Sequence, residues 1–209
     1  MIKTFFALLI IVVLAIPQLS LASSNEQLIN KVTEIGGGNF DRGLEHLISE
    51  SNGGNSTATF IISQLLFAAQ KEERAINLLG LAAEQGHPVA MKTLGKAYLE
   101  GTFSQISYPQ ARFWFLRGAK LRNINSMVYL GIMNRDGLGG DIDNVEAYFW
   151  FSLAEKLKPD TPGTKEPKDF SEEIEHHLSS DQKNETRLKI VQWIEKNPEV
   201  VIQGISPLD

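Results

Sequence analysis

ARFWF at residues 111–115 is followed by AYFWF at residues 147–151, 36 residues further along the chain. A pentapeptide written twice at a fixed interval is either a chemical motif used twice or a packing surface used twice. The flanking residues decide between them. At the same shift Ala75 falls on Ala111, Leu94-Gly95 on Leu130-Gly131, Gly101 on Gly137, and Lys120-Leu121 on Lys156-Leu157. Most of these are apolar or small, as expected when one supersecondary unit is stacked on the next. A weaker unit precedes them at a shift of 32, with Gly43 on Ala75, Gly54 on Gly86, Ala58 on Ala90 and Ile62 on Leu94. The shift is shorter because QKEER (70–74) replaces the longer connection GTFSQISYPQ (101–110), and loops absorb length changes better than packed helices do.

Each unit reads as two helices. Ser107 or Asp143 suits the cap of the second helix, and Pro109 suits its first turn. Phe113, Trp114, Leu116 and Leu121 then form one broad apolar face. In the first helix Ala90, Leu94 and Tyr98 lie four apart on one stripe. Gly95 and Gly131 leave room for a neighbouring helix, and Gly101 and Gly137 stand just past helix ends, where a left-handed residue is wanted. Runs of alternating β-branched residues are almost absent, so the fold class is all-α.

The pattern A-x-x-x-L-G-x-x-Y-x-x-G, a loop, then D-x-x-x-A-x-x-W resembles the Sel-1-like repeat, a relative of the tetratricopeptide repeat. Ala90, Leu94, Gly95, Tyr98 and Gly101 carry it once; Leu130, Gly131, Gly137, Asp143, Ala147 and Trp150 carry it again. AAEQGH at 82–87 is close to the family's end-of-unit wording. Ser126 departs from the expected Ala, Asn134 from the Tyr, and ISYPQ lacks the Asp. The resemblance implies a right-handed α-solenoid of stacked antiparallel helix pairs with terminal capping helices. It also implies an adaptor that binds a protein or peptide on the inner curve, lined by the first helix of each unit.

The rest of the chain divides around this array. Residues 1–22 read as a secretory signal peptide: Lys3, an apolar run to Pro17, then small residues at Ser20 and Ala22. The alternative is an uncleaved anchor, for which the run is short. Residues 23–56 read as N-terminal capping helices or a worn repeat, 57–157 as the repeats, 158–168 as a Pro-rich linker, and 169–209 as capping helices and tail. Ser179 and Gln182 have the spacing of a capping box, and Leu188, Ile190, Val191 and Ile194 give the last helix an apolar face. No cysteine is present, which excludes disulfides and a lipid anchor through an N-terminal cysteine. Loss of Lys3 with the signal takes the net charge from −5 to −6, which argues against a nucleic-acid partner. Nothing later is apolar enough to span a membrane. The expected location is therefore periplasmic or secreted.

The residues hold no reactive constellation and imply no cofactor. His176 and His177 are adjacent and point about 100° apart. Asp136, Asp141 and Asp143 lack the alternating ligands and closing Glu of a calcium loop. No metal site and no enzyme are expected. A cell-wall or β-lactam-directed hydrolase and a structural subunit of an envelope complex stand as alternatives to the adaptor. For binding, Lys92 and Lys96 lie off the packed stripe; Val128 and Ile132 are their 36-shift equivalents, and Phe60 is the 32-shift equivalent of Lys92. Two readings stand: an apolar binding patch, or a helix phase off by one residue that buries Phe60, Val128 and Ile132.

Overall fold

The structure, a computed structural model, describes residues 39–68, 70–158 and 167–197. The expected signal peptide, the first capping helix and most of the Pro-rich linker lie outside those residues. Among the described residues the secondary structure is entirely helical. Two compact units divide the chain, residues 1–90 and 91–209.

In the first unit, α1 (Asn39–Asn52), α2 (Ser56–Ala68) and α3 (Glu72–Glu84) pack in sequence. Asn55 caps α2 by accepting the Thr57 and Ala58 N–H groups at 3.0 and 3.2 Å. α2 buries Ala58, Thr59, Ile62 and Ser63; α3 buries Ala75, Leu79, Ala82 and Ala83. Small side chains on both helices allow close approach. The buried Thr59 hydroxyl is satisfied by Gln85 Oε1 at 2.8 Å. Gly86 follows α3 at φ +98, and the His87 N–H reaches back to Ala82 O at 2.9 Å, closing the helix in the left-handed manner that glycine permits.

α4 (Pro88–Glu100) spans the boundary. The second unit continues with α5 (Tyr108–Lys120), α6 (Ile124–Arg135), α7 (Asn144–Leu157), α8 (Pro167–Glu175) and α9 (Ser180–Lys196). α6 packs on α5 and α7, and α7 also packs on α8 and α9. The caps of α5, α7 and α9 are Ser107, Asp143 and Ser179, so the 36-residue interval runs on to the last helix. The turns repeat too. The Ser107 N–H donates to Tyr98 O and the Asp143 N–H to Asn134 O, both at 2.9 Å. α8 and α9 both pack on α7, and the cap of α9 keeps the same period. Phe170 of α8 stacks on Phe151, centroids 5.1 Å apart, much as Tyr129 of α6 stacks on Phe115 at 4.8 Å.

The repeated pentapeptide is a packing surface. Phe115 and Phe151 are fully buried, and each ring lies against a glycine of a neighbouring helix, Gly95 and Gly131. Two of the three departures from the repeat are absorbed locally. Ser126 is buried with its hydroxyl on Asn123 Oδ1 at 3.0 Å, opposite Gly118, where any side chain would strike that hydroxyl. Asn134 donates to Leu130 O at 2.8 Å and accepts from Arg112 at 3.2 Å.

Three sequence expectations are corrected. The linker does not run to residue 168: α8 begins at Pro167, which is buried and suits a first helical turn. Phe113 and Leu116 are not on the packed face of α5; they are 49% and 37% exposed. On α9 the inward residues are Thr186 and Ile190, with Trp193 and Ile194 packed beside them, while Leu188 and Val191 face away.

Candidate interaction surface

The surface the sequence singles out lies on the first helix of each unit. Lys92 and Lys96 stand on α4. Lys96 is largely exposed and pairs with Glu100 one turn on, at 3.6 Å; Lys92 is half-buried. Phe60 belongs to the first unit. It is half-buried, with its ring stacked on His87 at 4.3 Å and 17°.

Val128 and Ile132 are one turn apart on α6 and are brought together. Both are half-buried and join the cluster of Ala147, Tyr148, Phe151, Ile174 and Leu178. Ile174 belongs to α8 and Leu178 follows it, so the chain's own terminal segment packs where the sequence reading left an open patch. Arg135 continues this row. Its guanidinium lies 5.6 Å from the Phe170 ring centre, bonds Asp136 at 2.6 and 3.0 Å, and stands 3.8 Å from Glu173. The Asp136 hydrogen bond raises the Arg135 pKa above its ordinary value, opposed by partial burial. Of the five residues named from sequence, Lys96 is therefore the open one, Val128 and Ile132 are shared with the core, and Phe60 is stacked on His87.

His87 is the buried imidazole of the molecule. Its Nδ1 accepts the Ala90 N–H at 3.2 Å, so it caps the start of α4 in its neutral form. Burial lowers its pKa below the ordinary value of 6.5. This is a structural role. Asp143 is likewise spent on a cap, accepting the Glu146 N–H at 2.9 Å, and Asp136 on Arg135. Among the described residues no group of three or more His, Cys, Asp or Glu side chains is placed to hold a metal ion. No described helix is long and apolar enough to cross a membrane.

Sequence reasoning missed the outer side of α5. Phe113 and Leu116 are open there, and the helix carries Arg112, Arg117 and Lys120 without one acidic residue. Its partner in the repeat, α7, carries Glu146 and Glu155. That difference in charge was the available signal.

A family model of the Sel1 repeat matches residues 67–87, 88–123 and 124–158. The last two segments each hold a pair, α4 with α5 and α6 with α7. Among solved structures, the chain is similar to a protective antigen of uropathogenic Escherichia coli strains that displays an SLR fold. That match has a TM-score of 0.63 at 20% identity, over 88% of this chain and 44% of the antigen. It is also similar to a Sel1 repeat protein from Oxalobacter formigenes, with a TM-score of 0.58 at 26% identity, over 63% of this chain and 98% of that one. The chain thus spans less than half the length of the antigen. A comparison with curated proteins gives no match. Proteins built of Sel1 repeats are generally scaffolds for protein interaction, and the fold is typically non-enzymatic. Residues 67–158 are thus three Sel1 repeats, registered on the helices described above, and they support a Sel1-like repeat protein.

Proposed function

We propose that this chain is an exported scaffold of the bacterial envelope, or a secreted one, that holds another protein or peptide on its helical surface. The repeat array carries the first half of this reading: its side chains are spent on packing and caps, and what remains outward is surface. The N-terminal run MIKTFFALLIIVVLAIPQLSLA carries the second half, because its charge, apolar length and small terminal residues suit a signal that is removed after Ala22. On the first helices Lys92 and Lys96 are the members that reach a partner, while Val128 and Ile132 pack against the core of the second unit.

Export is tested by expressing the full chain in a bacterial host. Released protein whose N-terminus is Ser23 supports it, and an intact Met1 in the membrane fraction refutes it. Scaffolding is tested by cross-linking the purified protein in envelope extract, beside a Lys92→Glu, Lys96→Glu version. A protein captured by the parent and lost from the variant, with melting unchanged, supports the reading. Equal capture by both removes the two lysines from it.

A further inference from the structure

The cap that His87 makes on α4 is structural, and it is also conditional. Asn55, Asn123 and Ser179 cap their helices with amide or hydroxyl oxygens, which accept whatever the pH. His87 caps with a ring nitrogen, its Nδ1 accepting the Ala90 N–H at 3.2 Å. A proton on that nitrogen turns it into a donor, so the bond is lost outright. The imidazolium then also faces the N-terminus of α4, where free N–H groups disfavour a cation.

The surroundings give the charge little in return. His87 is 5% exposed, so an imidazolium there is almost without water. α2, whose Phe60 ring stacks on the imidazole at 4.3 Å, carries no titratable side chain. On α3, whose Ala82 carbonyl accepts the His87 backbone N–H, the ionisable residue nearest in sequence is Glu84, which is exposed; on α4 it is Lys92, of the same sign as the imidazolium. Burial alone lowers the His87 pKa. The face of the Phe60 ring does attract a cation, but one such contact is outweighed by a charge buried without a partner. Turning the ring outward is the cheap escape. The bonds that otherwise hold this turn do not use the imidazole: they are the His87 N–H to Ala82 O at 2.9 Å and the Thr59 hydroxyl to Gln85 at 2.8 Å.

We infer that His87 and Phe60 form an acid-sensitive latch: protonation of the imidazole breaks its bond to Ala90, turns the ring out of the stack, and so frees the first turn of α4 and uncovers Phe60 while α2 and α3 stay folded. Loss of the proton closes it again. Phe60 is half-buried, and the imidazole is the group stacked on its ring, so the latch sets how much of that ring meets water. The latch stands on the geometry of the first unit and does not depend on the scaffold reading.

NMR on the full chain tests it residue by residue. The His87 Cε1–H resonance is expected to titrate between about pH 7 and about pH 5, and its NOE to the Phe60 ring to fade in step. With intrinsic exchange corrected for pH, protection of the Ala90 N–H is expected to fall about tenfold from about pH 7.5 to about pH 5.5, because the open form takes up its proton near the ordinary value of 6.5. The opening is small, so about 1 M urea should leave the Ala90 rate unchanged while it speeds exchange at Ile62 and Leu79, which lie in the core of α2 and α3. His87→Asn, which caps through an amide oxygen, should hold Ala90 protection flat across the same pH range. An NOE that survives the titration overturns the latch, as does a His87 resonance that does not move above about pH 5. An Ala90 rate that rises with urea in step with Ile62 and Leu79 assigns the change to unfolding of the whole unit and also overturns it. These three readings come from the parent chain, so they decide the matter even where His87→Asn folds poorly. A folded His87→Asn that keeps the parent's pH dependence overturns it independently. Failure of the scaffold reading in envelope extract changes none of these outcomes.

Discussion

Gly131→Ala is the sharpest test of how the repeat is packed. A methyl group at this position stands 2.5 to 2.7 Å from three carbons of the Phe151 ring. That ring cannot move aside, because Phe151 is fully buried and stacked on Phe170. Overpacking of this kind costs about 1–3 kcal/mol. Against it stands the gain of about 1 kcal/mol or less from replacing glycine inside a helix. The net loss is about 1–2 kcal/mol, which at this chain length lowers Tm by about 2–8 °C. Gly95→Ala meets Phe115 in the same way, at 2.5 to 2.9 Å, and a similar loss is expected. Gly80→Ala in α3 is the control. Nothing lies within 4 Å of its added carbon, so the propensity term acts alone and Tm rises. Thermal melting of the three variants reads the signs directly. A double mutant reads the mechanism: Gly131→Ala should cost less on a Phe151→Leu background, where the ring is gone. Gly131→Ala melting at or above the parent, or moving with Gly80→Ala, would show that close ring-to-backbone packing is not what the glycine serves.

Three further outcomes follow from caps, burial and the α5 face. Ser179→Ala breaks a complete capping box and is expected to cost about 1 kcal/mol, as is Asp143→Ala; Ser107→Ala, whose side chain makes no cap hydrogen bond, should cost clearly less in the same urea titration. The folded-state pKa of His87 lies below its unfolded value of 6.5, so the unfolded chain takes up the proton first and stability falls as pH drops below that value. His87→Asn keeps an acceptor near the Ala90 N–H but does not titrate, so its Tm should decline less than the parent's between about pH 7 and about pH 5; parallel declines would refute the linkage. Lys120→Glu should leave the unfolding free energy within about 0.5 kcal/mol of the parent in the same urea titration, because the residue is exposed.

The parts of the fold that could be read from sequence are those where a residue type has one physical use. Gly95 and Gly131 recur at the interval of the aromatic pentapeptide because a ring must reach the helix backbone there. Asp143 and Ser179 announce helix starts because only a short polar side chain satisfies the first free N–H groups. The 36-residue interval is a packing distance expressed in chain length, so it persists to Ser179, beyond the last matched repeat. α9 was misread because its apolar residues fall on two sides. Leu188 and Val191 follow helical spacing as well as Ile190 and Trp193 do, and only the position of α7 decides which set is inward.

The candidate surface was harder to read for a related reason. A stacked repeat repeats its residues, but the neighbours of each copy depend on where in the array it stands. Val128 and Ile132 look open when the first helices are compared with one another, and they are partly covered because Ile174 of α8 and Leu178 belong to the cluster they pack against. Phe113 and Phe149 look equivalent when the second helices are compared, and they are not, because α9 covers one of them. Burial inferred from periodicity alone assumes an endless array. Where the array ends, terminal helices close some faces and leave others: Glu146 of α7 pairs with Lys189 of α9, while the neutral Gln110 stands at the same repeat position of α5.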